Sequence, residues 1–107
     1  MQRLLFICSR NRLRSPTAEQ QFAGRPGIET DSAGLAPDAD TPLDAEQVRW
    51  ADVIFVMERA HRNKLAQRFG PQLKGKKLVC LDIADNYTFM QPELVALLEK
   101  KMAPHLR

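Results

Sequence analysis

The chain opens on a short unbroken apolar run, Leu4-Leu5-Phe6-Ile7, just ahead of a polar stretch that starts at Ser9. A run of this length without alternation predicts a strand buried on both faces, over residues 3–7. Ser15 then offers an N-cap and Pro16 a first helical residue, predicting a helix to about residue 23. Gly24, Pro26 and Gly27 break it. A second strand is expected over residues 28–33, ending at Gly34, and a proline-containing loop over 35–42. Residues 44–51 read as a short helix. Residues 52–57 (Asp-Val-Ile-Phe-Val-Met) give the best strand pattern in the chain. The pattern next predicts a helix over 59–69 with Leu65, Ala66 and Phe69 on one side, closed by Gly70-Pro71. A fourth strand over 77–83 precedes a last helix over 92–102, whose apolar positions are Leu94, Val95, Leu97 and Leu98.

Strands and helices in alternation imply an α/β fold, a parallel sheet covered by helices on both faces. Ligands of such sheets bind beyond the carboxyl ends of the strands, at a topological switch point. Residues 8–14 begin at such an end, and Asp85 follows another.

With 107 residues, 44% of them apolar and 27% charged, the chain is expected to form one domain over 1–107. The excess of 16 basic over 13 acidic residues gives +3, too mild to imply nucleic acid. Four arginines, Arg3, Arg10, Arg12 and Arg14, nevertheless crowd the first segment. The apolar start is too short for a signal peptide or membrane span. Two cysteines give no disulfide framework, so a reducing cytoplasm is the expected setting. His61 and His105 lack metal-ligand spacing with Cys8 or Cys80, and there is no glycine-rich nucleotide fingerprint, so neither metal nor cofactor is expected. His61, in a charged helical stretch, is expected to be solvated.

The segment Cys8-Ser9-Arg10-Asn11-Arg12-Leu13-Arg14-Ser15-Pro16 carries the chemistry. A strand ends, a short loop follows, and a helix begins. Backbone N–H groups of residues 9–14 can form an anion nest at a helix start, and Arg14 adds a planar fork for two phosphoryl oxygens. A thiol in that cradle is expected to ionise readily, with help from Ser15 if its hydroxyl reaches the sulfur. Taken alone, a cysteine at a strand end is most often a small buried hydrophobe. Spacing, flanking strand, helix start and clustered positive charge coincide here and favour chemistry.

These residues resemble the phosphate-binding loop of the low-molecular-weight protein tyrosine phosphatases. Ser32-Ala33-Gly34, residues 51–57 and Asp85-Asn86-Tyr87 are similar to later segments of that family, over roughly residues 2–100. The resemblance implies sheet order 2-1-3-4, Cys8 as nucleophile, Arg14 as phosphate clamp and Asp85 as general acid. It also implies loop support from Asn11 and Ser15, a cleft rim at Tyr87, and phosphotyrosine or a similar aryl phosphate, on a protein or a small molecule, as substrate. Arg10 stands where the family usually has glycine. A left-handed backbone there would cost about 1–2 kcal/mol. Leu13 replaces a second loop cysteine, Asn86 replaces proline, and the chain is shorter than most members. Asp82 and Asp40 compete with Asp85 for the acid role, and reach favours Asp85.

Two other readings share these residues. Thioredoxin-coupled arsenate reductases have the same loop but relay a disulfide through two further cysteines; this chain has only Cys80, expected to be a buried core thiol. A phosphoryl-binding module without turnover would use a rim of Arg10, Arg12, Lys74, Lys76 and Lys77. Lys74-Gly75-Lys76-Lys77 reads more simply as a solvated turn.

Overall fold

Burial on both faces of the first strand organises the molecule. In the computed structural model, which describes residues 1–106, β1 (Gln2–Cys8) runs between β2 (Ile28–Gly34) and β3 (Val53–Val56), and β4 (Lys77–Cys80) flanks β3. The sheet is four-stranded and parallel in the order β2-β1-β3-β4, as the resemblance implied. Between the strands lie α1 (Arg14–Phe22), α2 (Ala45–Trp50) and α3 (Arg59–Phe69), and α4 (Pro92–Met102) follows β4. No helix among the described residues is long and apolar enough to cross a membrane.

Alternation along β1 sorts the core into two layers. Leu4, Phe6 and Cys8 join Phe55 on the face covered by Ala18 and Phe22 of α1 and by Leu94, Leu98 and Met102 of α4. Leu5 and Ile7 join Ile54 and Val56 on the face covered by Val48 of α2 and Leu65 of α3. Phe6 stacks on Phe55 at 5.3 Å and on Phe22 at 6.0 Å between ring centroids. Such aromatic packing adds to the area each ring removes from water.

Several element boundaries differ from the sequence pattern for local reasons. The first helix starts at Arg14, with Leu13 rather than Ser15 at the cap position. Ser15 and Pro16 occupy the first turn, where a missing N–H costs nothing. β4 stops at Cys80 instead of residue 83, because Asp82 turns left-handed with φ of 57°. Pairing to the sheet continues only through Leu81 and Ile83, whose N–H groups donate to Val56 and Met57 carbonyls at 2.8 Å. On α3 the inward positions are His61 and Leu65, four apart, whereas Ala66 is exposed. The solvated histidine expected from the charged surroundings is therefore a buried one. Asp44 caps α2, accepting from Gln47 N–H at 2.8 Å in a reciprocal capping box.

The register brings the carboxyl ends of β1 and β2 together, Cys8 opposite Gly34. Gly34 lies so close to the loop that a Cβ there would stand 2.5 Å from Ala39 Cβ, 2.7 Å from the Ser9 carbonyl oxygen and 2.9 Å from the Arg10 carbonyl carbon. Two of these are main-chain atoms that cannot swing aside. Gly34→Ala should therefore destabilise the fold by about 1–3 kcal/mol, the usual cost of overpacking. A denaturant midpoint unchanged from wild type would show that the loop yields instead.

Candidate active site

The loop after β1 is shaped from outside by its own carbonyls. Leu35 N–H donates to the Cys8 carbonyl at 3.0 Å, Ala36 N–H to that of Ser9 at 2.8 Å, and Asp40 N–H to that of Arg10 at 3.0 Å. In a trans peptide the following N–H points the opposite way. Three carbonyls tied outward thus turn the N–H groups of Ser9, Arg10 and Asn11 inward. The last of these donates to Cys8 Sγ at 3.2 Å.

Asn11, not Arg10, takes the left-handed conformation, with φ of 57°. The strain considered for Arg10 is absent, and asparagine tolerates this region better than most side chains. Buried Asn11 also donates from Nδ2 to Ser32 Oγ at 3.0 Å, and that hydroxyl bonds Glu19 of α1 as well. Ser15 Oγ lies 2.9 Å from Cys8 Sγ. Its hydroxyl faces the sulfur from the first turn of α1, which is why it does not cap the helix. Leu13, one-third exposed, and the exposed side chains of Arg10 and Arg12 border the cleft above the sulfur, each arginine paired with an aspartate. Arg10 meets Asp38 at 2.8 Å and Arg12 meets Asp40 at 3.1 Å.

Arg14 is a buried cation, only 2% exposed. One guanidinium nitrogen, Nη1, donates to Glu58 Oε2 and to the Ile83 carbonyl, both at 2.7 Å. Nε lies 3.5 Å from Asp85 Oδ1. The hydrogen bond from Arg14 holds the Glu58 carboxyl below its ordinary 4.5 despite partial burial. His61, four per cent exposed, accepts the Glu58 N–H at Nδ1 (3.2 Å), and its Nε2 lies 3.0 Å from Ser9 Oγ. Burial first, and then the Arg14 charge, push the ring below its ordinary 6.5, so it stays neutral.

A cleft of about 530 Å³ opens over Cys8 and Arg14, bordered by Ser9, Ala36, Lys64 and Asp85. Asp85 is exposed at its mouth, whereas Asp82 borders a separate cleft with Arg59, Arg62 and Cys80. Asp40 is engaged with Arg12. Tyr87 packs half-buried against the α1–α4 core layer. Cys80 is half-buried and packs on the face opposite Cys8. No group of three His, Cys, Asp or Glu side chains among the described residues is placed to hold a metal. Sequence reasoning missed Glu58 and His61. Their only signal was the placement of Glu58 directly after β3, at a strand end like those of Cys8 and Asp85.

No protein-family model matches the chain. A protein-arginine-phosphatase of Geobacillus stearothermophilus is 28% identical over 98 residues, a match that covers 69% of this chain and 66% of that protein. Among solved structures, the YwlE arginine phosphatase of the same organism superposes with a TM-score of 0.75 at 22% identity, covering 100% of this chain and 99% of that one. A low-molecular-weight protein tyrosine phosphatase from T. tengcongensis gives 0.77 at 23% identity, covering 99% and 100%. The two superpositions establish the fold. The expected architecture, a parallel sheet in the order β2-β1-β3-β4 between helices, is thus shared with both solved structures.

The charged network predicts a pH dependence of stability. His61 is neutral in the fold, so lowering pH below 6.5 protonates the unfolded chain first and stability falls. Glu58, depressed by Arg14, contributes stability that is present above 4.5 and is lost as pH drops through its lower folded value. Denaturant unfolding across pH 3–8 should show both declines. Glu58→Gln should flatten the lower one. A curve for that variant parallel to wild type would mean that the pair adds nothing.

Proposed function

We propose that the chain is a cysteine-dependent phosphatase that acts on phosphotyrosine or a similar aryl phosphate without a metal ion. The observation that carries this reading is the convergence on one sulfur of the Asn11 N–H and the Ser15 hydroxyl, with a buried arginine in the same cleft. The phosphoryl group would sit in the nest of loop amides, its oxygens shared between those N–H groups and the Arg14 fork. Nη1 is committed to Glu58 and Ile83, which leaves Nη2, and Nε beside Asp85, to face the substrate.

Cys8 thiolate attacks phosphorus in line, the P–O bond to the leaving group breaks, and a cysteinyl-phosphate forms. Asp85 supplies the proton that the departing oxygen requires. It then takes a proton from the water that cleaves the P–S bond, which returns the thiolate and releases inorganic phosphate. Ser9, Arg10, Asn11, Arg12 and Leu13 contribute through the loop backbone. Placement of the two thiols on opposite sheet faces disfavours a disulfide relay between Cys8 and Cys80, and with it the arsenate reductase reading.

A second substrate is favoured by one observation, that the curated relative is a protein-arginine-phosphatase. The same loop would cleave a P–N bond, with Asp85 protonating the departing guanidine. Release of phosphate from phosphotyrosine, phosphoserine and phosphoarginine peptides separates the two. Preference for the aryl ester is the expected result, and a clear preference for phosphoarginine would replace it.

Cys8→Ser should abolish turnover while vanadate or phosphate still binds; unchanged activity in that variant rules the mechanism out. Asp85→Asn should slow poor leaving groups by roughly 10²–10⁴-fold and activated aryl phosphates less. Asp82→Asn is the control. A leaving-group-dependent loss at Asp82 alone would transfer the acid role to it.

A further inference from the structure

One buried imidazole joins two parts of the cleft and takes no part in the chemistry described above. His61 Nδ1 accepts the Glu58 N–H at 3.2 Å, so the neutral ring carries its proton on Nε2. That nitrogen lies 3.0 Å from Ser9 Oγ, a residue 52 positions away in sequence, and with this tautomer the ring donates and the hydroxyl accepts. Ser9 directly follows the nucleophile, and its carbonyl is held from the other side by Ala36 N–H at 2.8 Å. Glu58, whose backbone N–H meets Nδ1, is also the residue whose carboxylate grips Arg14 at 2.7 Å.

We infer that His61 is a positioning residue: as a neutral ring protonated on Nε2, it fixes the Cys8 loop relative to the Glu58–Arg14 pair, so that sulfur and guanidinium meet the same phosphoryl group. This role rests on the phosphatase reading above. Protonation of the ring would undo it in two ways. Nδ1 would no longer accept from Glu58 N–H, which leaves a donor at the start of α3 unpaired. The imidazolium would also compete with Arg14 for Glu58 Oε2, which lies 3.7 Å from Nε2. The charged groups around the ring are Arg14 from α1, Glu58 and Lys64 flanking it on α3, and Asp85 from the loop after β4. Burial, Arg14 and Lys64 favour the neutral ring against the pull of the two carboxylates.

The test combines nitrogen NMR of the unliganded protein with steady-state kinetics. Wild type should show an Nε2-protonated ring whose proton exchanges slowly with water, and Ser9→Ala should make that exchange fast. His61→Ala and Ser9→Ala should each lower kcat roughly tenfold with a smaller change in KM, the scale of one oriented hydrogen bond. The double variant should be no worse than the poorer single one. His61→Gln, whose amide nitrogen can reach Ser9, should recover part of the loss. An Nδ1-protonated ring, or additive losses with no recovery by glutamine and only a lowered unfolding midpoint, would overturn the inference. Wild-type protein that releases no phosphate from any substrate would instead overturn the phosphatase reading. The imidazole resonance would still report the Ser9 link, which keeps the two failures distinct.

Discussion

A guanidinium that is almost fully enclosed is the constraint on which the rest of this structure depends. An isolated charge in such a place would cost several kcal/mol, and arginine does not escape by losing its proton. Arg14 must therefore be met by acceptors. The fold brings them from two other strand ends: the Glu58 carboxylate after β3 and the Ile83 carbonyl after β4. Asp85 approaches from the open side. The ends of three strands, β1, β3 and β4, are thereby tied to one cation at the carboxyl edge of the sheet. Glu58 remains ionised because of that partner, so the arginine keeps a fixed counter-charge behind it and presents its remaining donors to the cleft.

The loop carrying the sulfur is organised by a complementary device. Its carbonyls are claimed by the segment after β2, which leaves its amides no direction but inward. Gly34 makes this possible, since only a residue without a Cβ lets the two backbones approach that closely. Asn11 provides the single left-handed turn, and its side chain anchors that turn to Ser32. The inward amides thus follow from main-chain geometry and not from the arginines at the cleft's border. Arg10 and Arg12 are largely neutralised by Asp38 and Asp40 in solvent, where such pairs contribute little.

Much of the architecture was legible in the chain. The central strands β1 and β3, the alternation with helices and the cysteine-to-arginine spacing followed from residue type and period, because burial on two faces leaves an unbroken hydrophobic signature. Details that depend on a partner distant in sequence were not legible. Ser15 looked like a cap because serine caps helices, yet the helix starts one residue earlier and only the considered contact with the sulfur forms.

His61 marks the boundary most sharply. Its neighbours in sequence are charged, which reads as a solvated helix face, and the period of α3 alone could not say that position 61 shares the inward stripe with Leu65. By itself the sequence determined the fold class, the Cys8-to-Arg14 loop and the cation within it, because each is written in local pattern. Only the tertiary structure decided which groups surround that cation, since Glu58, Ile83 and Asp85 meet it from the ends of β3 and β4, and parallel pairing places side by side residues that no local pattern connects.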